Sequence, residues 1–76
     1  MSVDLVRLYA EIASDEGKIL HKYKCSLGHD TIGIGHLVQA DDPEANLPVY
    51  GAYEEVSEEV CITEDRCYEL FQKDIQ

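Results

Sequence analysis

Glu16 is the side chain of this sequence best placed for proton transfer. Leu5, Leu8, Tyr9 and Ile12 recur at spacings of three and four, and Glu16 continues the 5, 9, 12, 16 series of one helical stripe. Its carboxyl therefore falls at the edge of an apolar face, on the last turn of a helix that Gly17 is suited to end. Partial burial and the negative end of the helix dipole both disfavour a charge there, so the protonated form is expected to be favoured. A carboxylic acid that keeps its proton near neutrality can deliver it to a leaving oxygen, as the general acid of glycoside cleavage does. Read by position alone, Glu16 is more simply a solvated helix-end glutamate.

The other reactive side chains are less patterned. Cys25, Cys61 and Cys67 form no CxxC pair, and three cysteines cannot all pair within one chain, so reduced thiols are expected. His21, His29 and His36 lack a recognisable ligand spacing, and neither metal nor cofactor is expected. The net charge is -10, with no Lys or Arg between Cys25 and Asp65. So acidic a middle repels nucleic acid and anionic lipid, whose binding relies on Lys and Arg. Glu54, Glu55, Glu58 and Glu59 read as a solvated face, or as a docking surface for a basic partner. The first ten residues carry Asp4 and Arg7 and no sustained apolar run, so neither a secretory signal nor a membrane span is expected, and synthesis should end in the cytoplasm.

The elements that must position these groups amount to one small α+β domain over residues 1–76. A helix is predicted from Val3 to Glu16, with Ser2 as its N-cap. Lys18 to Lys24 alternates, Cys25 to His29 has turn composition, and Asp30 to Val38 is rich in Thr, Ile and Val, which together predict a small antiparallel sheet. Gly33 and Gly35 interrupt that last run, as tight-turn or bulge glycines do, or where a ligand approaches backbone. Residues 39–60 form an acidic insertion: a long surface loop with Pro43, Pro48 and Gly51, then a short acidic helix. Thr63 caps a C-terminal helix whose buried stripe would be Cys67, Leu70, Phe71 and Ile75.

Asp15-Glu16-Gly17, Tyr23-Lys24-Cys25, Gly28 and the run Thr31-Ile32-Gly33-Ile34-Gly35-His36-Leu37 resemble, without a gap from about Leu8 to Leu37, the N-terminal lobe of the phage-type lysozymes, the endolysin muramidases of tailed phages. Ile62-Thr63-Glu64-Asp65 followed by Leu70-Phe71-Gln72-Lys73-Asp74 resembles the start of the long helix that joins the two lobes of that family, here residues 63–76. The acidic middle matches poorly.

The resemblance implies a catalytic set spaced as Glu, eight residues, Asp or Cys, five residues, Thr, which Glu16, Cys25 and Thr31 satisfy. Glu16 would protonate the glycosidic oxygen between N-acetylmuramic acid and N-acetylglucosamine, and Thr31 would hydrogen-bond the attacking water. Cys25 stands where many relatives carry aspartate; a thiol with an ordinary pKa of about 8.5 must lose its proton before it can act as nucleophile or base. Outside the resemblance, Cys25 reads as a turn residue and Thr31 as an ordinary strand threonine. Gly35 and Leu37 would bind the sugar chain, and His36 would form a structural ion pair with Asp74. The implied function is hydrolysis of the β-1,4 bond of peptidoglycan at the bacterial wall, without cofactor. The family's second lobe is all helical and lies across the cleft, so the implied partners are peptidoglycan and a helical C-terminal lobe on another chain, or a phage virion protein. The alternatives are a non-catalytic lysozyme-like structural or binding module of a virion, and a regulator docking through its acidic face.

Overall fold

The computed structural model describes residues 3–75. The first helix, α1, spans Val3–Glu16 as its periodicity predicts, while Ser2, its expected cap, lies outside the described residues. Gly17 ends α1 in the left-handed region (φ 85°), its N–H donating to the Ala13 carbonyl at 2.9 Å. The chain then enters β1 (Ile19–Lys24), turns tightly through Cys25–His29, and returns as β2 (Asp30–Gly33) and β3 (His36–Leu37). A 3₁₀ turn at Pro43–Asn46 leads to β4 (Val49–Tyr50), a second 3₁₀ turn covers Glu58–Val60, and α2 spans Glu64–Asp74.

The strands lie in the order β3-β2-β1-β4. The two pairs made by β1, β2 and β3 are antiparallel, as expected, but β4 joins β1 in parallel, with Lys22 opposite Val49 and Tyr23 opposite Tyr50. A parallel pair needs a long return path. The excursion through β2, β3 and the acidic segment supplies it, so the sheet is mixed rather than wholly antiparallel.

Thr63 caps α2, its Oγ1 accepting the Arg66 N–H at 3.1 Å, with Glu64 and Asp65 in the first turn and Lys73 in the last, where each sign suits the helix dipole. The helix packs on β2 and β3, and its Cys67, Leu70 and Phe71 are buried together with Ile32 and Ile34 as the core. Each such burial is worth about 1.5–3 kcal/mol. Ile75, expected in this stripe, follows the end of the helix and is 46% exposed. Gly33 permits the close approach of α2: a Cβ there would stand 3.1 Å from Cys67 Sγ. Tyr9 of α1 meets Tyr68 and Phe71 of α2 with ring centroids 4.8 and 5.2 Å apart, which joins the two helices.

The acidic middle is not simply a surface excursion. Glu54, Glu55, Glu58 and Glu59 are exposed, but Asp42 and Glu44 are buried, each with 4% of its surface accessible. Asp42 Oδ2 accepts from His36 Nε2 and from the Gln39 N–H, both at 2.8 Å, and Oδ1 accepts from Lys73 Nζ at 3.0 Å. Glu44 takes a two-pronged pair of bonds from Arg66, at 2.8 and 3.0 Å. The buried Lys22 donates to the Glu44 and Ala45 carbonyls at 3.2 and 3.0 Å.

Burial alone would raise the pKa of Asp42, but the Gln39 N–H, His36 and Lys73 outweigh it and hold the carboxyl well below the usual range. The Arg66 guanidinium lowers Glu44 likewise, against the effect of burial. Carboxyls depressed in the folded state stabilise it fully above their unfolded pKa of about 4, and that stability is lost as pH falls further. Asp42→Asn should cost about 1–3 kcal/mol at pH 7 and flatten the fall in stability below about pH 4. Urea unfolding across pH 2.5–7 measures both, and a variant with the unchanged wild-type profile would refute this role for Asp42.

Candidate active site

Glu16 is fixed by the end of α1, because Gly17 turns the chain away immediately after it. It is exposed, so the partial burial expected from its helical stripe is absent. The stripe is shallow at this end because α1 meets the rest of the fold through Tyr9, two turns earlier. The Glu16 carboxylate instead faces the β2–β3 turn, where a Cβ placed on Gly35 would lie 3.6 Å from Glu16 Oε2. Gly35 is in the left-handed region (φ 65°) and leaves the approach to the carboxylate open. The two glycines of the run thus differ: Gly33 admits α2, and Gly35 faces Glu16.

Cys25 follows β1 and is half-buried at the start of the tight turn, its N–H donating to the His29 carbonyl at 2.9 Å. The backbone N–H groups of His29 and then Leu27 lower its thiol pKa, and the Thr31 hydroxyl adds to them, while burial opposes. Thr31 is buried in β2, and its Oγ1 donates to the His29 carbonyl at 2.9 Å. A hydroxyl carries one proton, so Thr31 serves either that carbonyl or a thiolate at Cys25. Leu37 pairs with Thr31 across β2 and β3 and is 49% exposed on the edge strand.

Tyr23 belongs to the same neighbourhood. It precedes Cys25 by two residues, the spacing that puts alternate strand residues on one face. Burial raises its pKa, and negative charge at Cys25, Tyr53 and Glu16 raises it further, so its phenol stays protonated beside them. The strand period was the available signal for Tyr23, which composition alone assigns to core or rim.

A groove of about 380 Å³ opens beside Glu16 between the Gly17–His21 stretch and residues 52–54. His21, buried in β1, donates from Nε2 to the Gly51 carbonyl at 2.7 Å, with its ring edge-on to Tyr50. Glu54 closes the turn, its N–H donating to the Gly51 carbonyl at 3.1 Å and its Oε1 accepting the Gly51 N–H at 3.0 Å. Nothing in the residue pattern pointed to this wall, since it depends on the parallel placement of β4.

Away from the groove, His36 Nδ1 lies 2.8 Å from Asp74 Oδ2, which brings together the two residues expected to pair. Asp42 on the other ring nitrogen is an addition, with its Oδ2 2.8 Å from Nε2. Among the described residues no group of three or more His, Cys, Asp or Glu side chains could hold a metal ion.

The fold is thus α+β, with a helix-end glutamate facing a glycine turn and a thiol of lowered pKa at the end of β1. The phage lysozyme family matches over residues 13–76, from within the last turns of α1 to the end of the chain, and the chain belongs to that family. Membership carries peptidoglycan hydrolysis, a glycosidase chemistry acting on the cell wall, as the family's general activity. No curated protein matches the chain. No described helix is long and apolar enough to cross a membrane.

The lowered thiol pKa at Cys25 leads to a chemical prediction. At pH 7 iodoacetamide should label Cys25 ahead of the buried Cys67, because Cys25 is the more accessible and its own thiol pKa is lowered. Thr31→Val should shift the pH midpoint of Cys25 labelling upward, as read by mass spectrometry of timed digests. An unmoved midpoint would remove Thr31 from the environment of the thiol.

Proposed function

We propose that this chain is the substrate-cleft lobe of a muramidase that hydrolyses the β-1,4 bond between N-acetylmuramic acid and N-acetylglucosamine. The observation that carries this reading is the Glu16 carboxylate, held at the end of α1 over Gly35 and beside an open groove, within the stretch shared with the family. Glu16 is the general acid that protonates the leaving glycosidic oxygen. Cys25, with its lowered pKa, is the base or nucleophile on the second side, and Thr31 orients water or the sulfur. Gly35 and the exposed Leu37 line the path of the glycan.

The exposure of Glu16 explains why a second, helical lobe from another chain belongs in this reading. Withdrawal from water is what favours a protonated carboxyl and strengthens every charge interaction within a site. A lobe across the groove would supply that withdrawal. Its seat is consistent with Val6, which is 47% exposed on α1. Val6 borders a hollow of about 470 Å³ between α1 and α2, lined also by Tyr9, Tyr68 and the polar side chains of Glu64, Asp65, Glu69 and Gln72. The biological setting is phage-driven opening of the bacterial wall, bacteriolytic at host lysis or at entry as part of a virion.

Clearing of a peptidoglycan suspension by the chain together with a helical lysozyme C-lobe tests this. Glu16→Gln should lower the rate by about 10²-fold or more, with an unchanged thermal midpoint because Glu16 is exposed. If wild type clears no faster than Glu16→Gln, the chain is the non-catalytic virion module that the thiol at position 25 also allows.

A further inference from the structure

Tyr53 is the most conspicuous side chain the fold does not use. It is 96% exposed, so its ring contributes almost nothing to the core, yet the turn that carries it is held firmly. The buried His21 donates to the Gly51 carbonyl, Glu54 bonds Gly51 in both directions, and β4 fastens Tyr50 to Tyr23 immediately before the turn. Tyr53 lines the same groove as Glu16, on the wall that faces the end of α1. A loosely tethered exposed tyrosine would be unremarkable. A fully exposed ring on a fixed turn at the rim of a groove presents a flat surface whose backbone is already placed, so that binding has only the two side-chain torsions left to order.

A pyranose ring carries C–H bonds of slight positive polarity on its flat face, and these suit the negative face of an aromatic ring. The rest of the sugar is polar and tolerates an open, wet groove with polar rims such as this one. The groove volume of about 380 Å³ falls within the range of small-molecule sites. We propose that Tyr53 is the stacking platform of a sugar subsite, holding an N-acetylhexosamine unit of the glycan against the 52–54 wall. His21 acts as the positioning residue for this platform through Gly51. The subsite rests on the reading of the groove as a glycan cleft, and it deepens that reading by naming a specificity residue on the acidic segment.

The test is a titration of the chain with tri-N-acetylchitotriose, followed by backbone and aromatic NMR. Wild type should show shift changes at residues 16–21 and 52–54. Tyr53→Ala should weaken binding about ten-fold, whereas Tyr53→Phe, which keeps the ring face, should bind within about two-fold of wild type. Tyr53→Ala should melt with the wild type, since the side chain is exposed. Equal binding by Tyr53→Ala, or shift changes that avoid residues 52–54, would overturn the subsite. If it is overturned while Glu16→Gln still abolishes clearing, the catalytic reading stands without it. If Tyr53→Ala loses binding while Glu16→Gln clears normally, the subsite stands and the catalytic reading falls. If wild type binds no sugar, the subsite falls, and the clearing assay alone decides the catalytic reading.

Discussion

Asp42 is the carboxylate on which the arrangement of this lobe depends. A buried charge costs several kcal/mol unless its hydrogen bonds are made good, and both oxygens of Asp42 are occupied: Oδ2 by His36 and the Gln39 N–H, Oδ1 by Lys73. With Asp74 on the other side of His36, this one cluster ties β3, the start of the acidic segment and the last turn of α2 together. The rest follows along the chain. Two residues later Glu44 is gripped by Arg66, and Lys22 holds the Glu44 and Ala45 carbonyls from β1. The chain is thereby delivered to β1 at Val49 and Tyr50, and His21 reaches Gly51. The groove beside Glu16 owes its second wall to a charge cluster anchored at the opposite edge of the sheet.

This dependence explains what could be read from residue order. The two helices were legible because each carries local signals: a stripe of apolar residues closed by Gly17 in α1, and a Thr63 cap with acids in the first turn of α2. The β1–β3 meander was legible from alternation and from the glycines between its strands. The acidic segment was not. Asp42 and Glu44 sit among exposed acids, and their Arg and Lys partners lie 22 or more positions away at Arg66 and Lys73. A run of acids normally signals a solvated surface, and only tertiary pairing marks out the two that turn inward. The parallel pairing of β4 was hidden for the same reason, since a two-residue strand has no period of its own.

The candidate site divides along similar lines. The resemblance assigned Glu16, Cys25 and Thr31, and the fold sets them in distinct environments: an exposed carboxylate over Gly35, a half-buried thiol fed by backbone N–H groups, and a buried hydroxyl. The resemblance implies an aspartate in many relatives where this chain has Cys25, and the two side chains ask different things of the fold. An aspartate is anionic without help, whereas a thiol needs donors to become so, and the tight Cys25–His29 turn offers them from the His29 and Leu27 backbone. Tyr23 could have been grouped with this set by strand period. Tyr53 could not, because its position follows from the Asp42 cluster.

The open geometry around Glu16 then acquires a physical reading. An exposed carboxylate is surrounded by water that screens it and competes for its proton. That water can leave in two ways. On the proposed reading, a covering lobe would remove it from above, and a sugar seated on the 52–54 wall would remove it from within the groove. The two are mutually reinforcing, since each reduces the water the other must displace. On the proposed reading, a filled groove would favour the protonated form of Glu16 and so keep its proton until a glycan is present to receive it.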